Sequence, residues 1–282
     1  MREQVGDNNF MIQIARVEAS RFHKVMTSGR TSPLLLTCEK VDGGSHEAVV
    51  KFATGAECTT SSLCAELICS QLASDLGLPT PTPVRVRWEQ GFTESFSDPD
   101  ARSVVTASTP PAFGSTLVTE GFAIWPAEGK LIGSTMRQTA LATFFFDAMI
   151  GNSDRSRMKP NILTRGDSFR LIDHEMAFRD YLLIAKPAPP WMLGGLGSFA
   201  KPGAHIFVTQ LIKAAKELDF GDIQAAWAGL SDHQIDAYVS ALPPEWTAGH
   251  GLTAFAVGRI KECRNRIDDC VTECRRALDV GT

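Results

Sequence analysis

Residues Gly151–Phe178 read G-N-S-D-R-S-R-M-K-P-N-I-L-T-R-G-D-S-F-R-L-I-D-H-E-M-A-F, and the rest of the chain is organised around them. Upstream, Leu141, Phe144, Phe145, Ala148 and Met149 recur at helical spacing, so a helix should end at Gly151 in a left-handed cap. A polar loop with Asp154, Arg155 and Asn161 follows. Ile162–Thr164 and Phe169–Ile172 then read as two short strands joined by a turn around Gly166 and Asp167. A three-residue turn would place Asn161 directly opposite Asp173, and a two-residue turn would miss by one. Either way the hairpin brings a loop Asn close to a strand-end Asp, with Asp154 just upstream.

Two carboxylates and an amide gathered at one loop suit Mg2+, which takes a few oxygen ligands and keeps the rest of its shell for water and phosphate. A further acidic group near such an ion can orient a hydroxyl for attack on a phosphoryl group. Any one Asp here could equally cap a helix or face solvent. The ordered set behind an apolar helix carries the reading.

At these residues the chain resembles the HipA-like kinases of the protein-kinase-like superfamily, through G-N-x-D-R, a proline-preceded Asn and I-D-H. Phosphatidylinositol kinases carry a similar G-N-x-D-R-H and I-D-H. The resemblance implies Asp154 as catalytic base, Asn161 as a metal ligand and Asp173 as the main metal ligand. Ser156 stands where many relatives have His, Lys159 where close relatives would have Asn, and His174-Glu175 replace the Phe-Gly of D-F-G. Glu175 receives no role from the sequence.

The chain has 282 residues, enough for two lobes with a cleft between them. Net charge is −4, which gives no electrostatic case for nucleic acid. Met1–Phe10 is polar and no signal peptide, and no segment could span a membrane, so a cytoplasmic location is expected. The seven cysteines show no C-x-x-C spacing and read as reduced core residues, with Cys263, Cys270 and Cys274 on a buried stripe.

In chain order, Phe10–Val17 reads as a strand and Phe22–Met26 as the next. A small-residue loop, Thr27–Pro33, precedes strand Leu34–Cys38, and a turn at Asp42-Gly43-Gly44 leads into Ala48–Phe52. In kinases such a loop covers ATP phosphates through backbone N–H groups, here Ser28, Gly29, Arg30, Thr31 and Ser32. An ordinary turn would use the same residues. The resemblance also implies slow self-phosphorylation of this loop.

Lys51 lies inside an apolar strand, so its ammonium must reach something polar: solvent, or the α- and β-phosphates of ATP. The second reading calls for a following helix with an acidic partner. Ser61–Asp75 supplies it, capped by Ser61 or Ser62 and stopped at Gly77-Leu78-Pro79, with Glu66 bordering an apolar face of Leu63, Leu67 and Leu72.

Pro83–Trp88 alternates as a strand. Glu89–Gly114 loses periodicity and reads as a mobile insertion. Ser115–Glu120 reads as the edge strand that meets adenine and links the lobes, with backbone groups of Val118, Thr119 and Glu120 at the base. Arg179–Gly203, rich in Pro and Gly, is the candidate substrate loop. His205–Leu218, Phe220–Leu230, Asp232–Leu242 and a long final helix, Leu252–Val280, complete the chain.

The expected architecture is α+β: a two-lobed protein-kinase-like fold with a β-rich N-lobe, residues 1–120, and a mostly α-helical C-lobe, residues 121–282. The resemblance implies Mg2+- and ATP-dependent phosphoryl transfer to a Ser or Thr hydroxyl of a protein. It also admits a toxin–antitoxin type partner that the sequence does not name. An aminoglycoside-type small-molecule kinase shares an I-D-x-E segment but carries H-G-D where this chain has N-S-D. A pseudokinase that binds nucleotide without turnover is the reading from another class; intact Lys51, Asp154, Asn161 and Asp173 argue against it.

Overall fold

The computed structural model describes residues 14–26, 31–55, 58–119, 121–126 and 130–279. Five strands close into a barrel: β1 (Ala15–Val25), β2 (Leu34–Lys40), β3 (Ser45–Lys51), β4 (Pro83–Arg87) and β5 (Ala112–Thr116). Their order is β1-β2-β3-β5-β4, and the barrel closes where β4 runs parallel to β1, Ala15 beside Val84 and Val17 beside Val86. Val17, Leu34, Leu36, Ala48, Val50 and Val86 fill the interior. A Cβ on Gly114 would lie 2.7 Å from Val86 Cγ2 and 2.8 Å from Val84 Cγ2, so only glycine lets β5 pass there.

Several sequence expectations change. The two strands expected at Phe10–Val17 and Phe22–Met26 are one strand over their described part, because register shifts at Ala19/Arg21 and Phe22/Lys24 break its alternation without ending it. Residues 10–13 lie outside the described residues. β5 begins and ends earlier than Ser115–Glu120, and it is no edge, since β3 and β4 flank it. The expected mobile insertion is largely ordered: α2 (Pro99–Thr106) starts at an Asp98 N-cap with Pro in the first turn, and Phe96, Ala101 and Val105 pack on the barrel.

Helix α1 (Thr60–Asp75) is capped by Thr59, not Ser61 or Ser62, and Ser62 closes the capping box by reaching back to the Thr59 N–H. It stops as expected: Gly77 N–H donates to Ser74 O and Leu78 N–H to Ala73 O, a Schellman motif. The helix has no solvent face, for Ser62 through Ala73 are all buried. Its apolar residues share one core with the helical half of the molecule, and Tyr238 Oη donates to Asp75 at 2.6 Å.

The helical half is built from α3 (Ser134–Ile150), α4 (Val208–Lys213), α5 (Gly221–Ala228), α6 (Asp232–Ser240), α7 (His250–Asn265) and α8 (Ile267–Asp279). The expected single final helix is thus two, broken at Arg266 (φ −118°, ψ 34°). Beside α3 lies a small sheet of β6 (Ala123–Ile124), β7 (Ile162–Arg165) and β8 (Ser168–Leu171). All seven cysteines are buried and free. Residues 179–203 form turns and one 3-10 segment, Arg179–Leu182, held on α7 by Asp180–Arg259 and by Arg259 and Arg266 over the Trp191 ring.

Candidate active site

Helix α3 ends at Gly151 in the left-handed conformation (φ 69°), which turns the chain back toward the small sheet. The hairpin β7–β8 turns on two residues, since Arg165 pairs with Ser168. That is the off-by-one register: Ile172 N–H, not Asp173, meets Asn161 O, at 3.1 Å. Asn161 (φ 48°) and Asp173 (φ 62°) are both left-handed, a conformation Asn and Asp tolerate better than most side chains. The backbone thus leaves the ladder on both strands at the open end of the hairpin, and both residues line one cleft.

Lys51 closes β3, and its ammonium makes three bonds: to Glu66 Oε1 at 2.5 Å, Asp173 Oδ1 at 2.8 Å and Glu175 Oε2 at 2.9 Å. It is 8% exposed, so the solvent alternative falls away. Burial alone would push its pKa down, but the three carboxylates outweigh that and raise it well above the ordinary lysine value. Glu66 is buried too. Its Oε2 accepts the His174 backbone N–H at 3.0 Å, so one side chain ties α1 to both β3 and the segment after Asp173. Burial would raise the Glu66 pKa, but the Lys51 charge and His174 hold it well below the carboxylate range. For Glu175, burial together with Asp173 and Glu66 prevails over Lys51 and pushes its pKa up.

Asp154 accepts from Lys159 Nζ at 3.2 Å and from Asn161 Nδ2 at 3.4 Å. Beneath this loop lies a charge cluster that sequence reasoning missed. Arg155 is fully buried, with Nε donating to Asp147 Oδ2 at 2.6 Å. Its Nη1 donates to the carbonyls of Asn161 and Ile172, the backbone of one candidate metal ligand and the residue before the other. His205 Nε2 reaches Asp147 Oδ2 at 3.0 Å, and Asn152 Nδ2 reaches Asp147 Oδ1 at 2.9 Å.

The cleft has a volume of about 590 Å³. Val49, Phe113, Leu117, Phe122, Ile124 and Leu163 supply apolar lining; Lys51, Glu66, Asp154, Asn161, Asp173 and Glu175 supply polar lining. Val118 also lines it, whereas Thr119 is exposed outside the lining. Met26, just before the small-residue loop Thr27–Pro33, and Pro33, its last residue, reach the cleft, and Thr31 and Ser32 are not among its lining residues. Ser28, Gly29, Arg30 and Glu120 lie outside the described residues. Glu175 is a charged lining residue for which the sequence offered no role; its place two residues after Asp173 was the available signal.

A small closed β lobe, a helical lobe and a cleft with a lysine–glutamate pair define a two-lobed protein-kinase-like fold. A family model described as HipA-like kinase matches residues 20–188, well over half of the chain, and the chain belongs to that family. In fold it is similar to a solved Helicobacter pylori proinflammatory kinase, CtkA, at a TM-score of 0.50 and 10% identity, covering 93% of this chain and 97% of that one. A looser likeness is to the Golgi casein kinase with Mn/ADP bound, at a TM-score of 0.47 and 11% identity, covering 95% of this chain and 74% of that one. No curated protein matches the sequence. No helix among the described residues is long and apolar enough to cross a membrane.

Proposed function

We propose that the protein is a Mg2+- and ATP-dependent kinase that transfers the γ-phosphoryl group to a Ser or Thr hydroxyl of a protein substrate. The observation that carries this reading is the convergence of Lys51 and Glu66 with Asp173, in one cleft with Asp154 and Asn161. The donor set fits a hard divalent cation. Asp173 Oδ2 and Asn161 Oδ1 accept no hydrogen bond among the described residues, and both residues line the cleft. When bound there, the ion neutralises phosphate charge.

Lys51, steadied by Glu66, holds the α- and β-phosphates, and the apolar lining takes the base. Asp154 orients the acceptor hydroxyl and receives its proton. The hydroxyl oxygen bonds to the γ-phosphorus as the bond to the β,γ-bridging oxygen breaks, and ADP leaves.

The test is a melting curve with and without Mg2+-ATP, followed by labelled ATP with a cell lysate. ATP at a hundred times its dissociation constant should add about 2.7 kcal/mol, or roughly 5–10 °C in Tm. Asp173→Asn should lose most of the Mg2+-dependent part of the shift. No shift with either ATP or GTP removes the nucleotide reading. A shift without transfer to any substrate makes the protein a nucleotide-binding module.

A further inference from the structure

The three carboxylates around Lys51 are not equivalent. Glu66 uses both oxygens, one on Lys51 and one on the His174 N–H. Asp173 and Glu175 each give Lys51 one oxygen. Among the described residues, the second oxygen of each, Asp173 Oδ2 and Glu175 Oε1, accepts no hydrogen bond. Their side chains keep 23% and 14% exposure against 3% for Glu66, and both line the cleft. One oxygen from each of Glu66, Asp173 and Glu175 lies within 4.8 Å of the other two. Oxygens around a magnesium ion sit about 2.0–2.1 Å from it, so two of them lie at most about 4 Å apart, a small rotation away.

Lys51 has three N–H bonds to give, and all three are taken. To grip a phosphate it must release at least one partner. Glu66 is anchored at both oxygens, so the partner released is Asp173 or Glu175. One ammonium among three carboxylates also leaves two negative charges in excess, the charge that a divalent cation cancels.

We propose that Glu175 is an exchangeable arm of the site. In the empty cleft it holds Lys51; when nucleotide enters with its metal, it turns beside Asp173 to the divalent cation and frees Lys51 for phosphate. This inference rests on the nucleotide reading above.

The experiment follows Tm at fixed ATP while Mg2+ is titrated, in the wild type and in Glu175→Gln, and then repeats ATP binding in EDTA. The half-saturating Mg2+ concentration should rise at least about tenfold in the variant. In EDTA the variant should bind ATP more tightly than the wild type, because it has lost one negative charge facing the phosphates. An unchanged Mg2+ midpoint overturns the proposal, as does weaker ATP binding in EDTA, which would make Glu175 only a support for Lys51. Glu175→Asp, which keeps the charge on a shorter arm, serves if the amide variant does not fold, with the same tenfold criterion. A wild type with no ATP shift overturns this inference and the nucleotide reading together; a wild-type shift with an unmoved variant midpoint overturns this inference alone.

Discussion

Two buried charge clusters among the described residues are built on opposite principles. Around Asp147 the account balances: one carboxylate, one guanidinium and one imidazole, all with essentially no exposure. His205 Nδ1 accepts the Phe207 N–H at 3.2 Å, so Nε2 carries the proton that Asp147 accepts, and the ring is neutral. Around Lys51 the account does not balance: three carboxylates share one ammonium, all three line a cleft, and Asp173 and Glu175 are partly exposed to it. A balanced, sealed cluster fixes the loop backbone. An unbalanced, open one is poised to take in positive charge.

Breaking the balanced cluster should have the largest effect. Asp147→Ala leaves Arg155 buried without its counter-charge and should cost about 3–5 kcal/mol in urea denaturation. A loss under 1 kcal/mol would show that the cluster does not hold the loop.

Removing the cation from the unbalanced cluster comes next. Lys51→Met should slow phosphoryl transfer about 10²–10³-fold, the usual loss for one positioned donor to developing charge. Three carboxylates then face one another, so Mg2+ without nucleotide should raise the Tm of this variant more than that of the wild type. Equal Mg2+ responses would contradict the charge count.

A smaller effect sharpens the contrast through pH. Burial pushes the His205 pKa down against the pull of Asp147. Below pH 6.5, the ordinary histidine value, the unfolded chain takes up a proton that the folded one refuses. Stability therefore falls as pH drops through that window, by up to about 1.4 kcal/mol per pH unit. His205→Gln should flatten the change in urea midpoint between pH 7.5 and 5.5. Asp147, held down to about 2 because Arg155 and His205 outweigh its burial, adds acid sensitivity only below its ordinary value of 3.8.

The smallest effect belongs to the exposed pair. Lys159–Asp154 spans 3.2 Å with the lysine 47% exposed, and Lys159→Ala should change stability by less than about 1 kcal/mol in the same urea assay.

The two-lobed fold class was legible in the sequence, and the structure gathers several residues that the sequence singled out, while parts of the fold around them were not legible. Lys51 stood out as a charge in an apolar strand, and Glu66 as the one acid early in an apolar helix. The loop from Asp154 to Asp173 carried a motif. Closure of the barrel did not show, because periodicity tells which face of β1 is buried and nothing about a parallel partner 69 residues on, as from Ala15 to Val84. The bulges in β1 hid its continuity by shifting the alternation. Helix α2 was missed for its length, eight residues, although Asp98-Pro99 is a sound start signal. Arg155 reads as a loop charge until Asp147, eight residues upstream on α3, is seen to take its guanidinium and His205, far along the chain, to close the cluster on Asp147.

The seven buried thiols make the chain its own recorder of opening. Burial pushes Cys38, Cys58 and Cys64 up to about 12, so almost no thiolate exists in the closed molecule for an alkylating reagent to meet. Labelling must wait for the structure to breathe, and the label's position says where it did. Cys38 reports the barrel, Cys64 and Cys69 report helix α1 between the lobes, and Cys263, Cys270 and Cys274 report the terminal helices. A time course of alkylation read by peptide mass would order the parting of these regions without a single introduced probe.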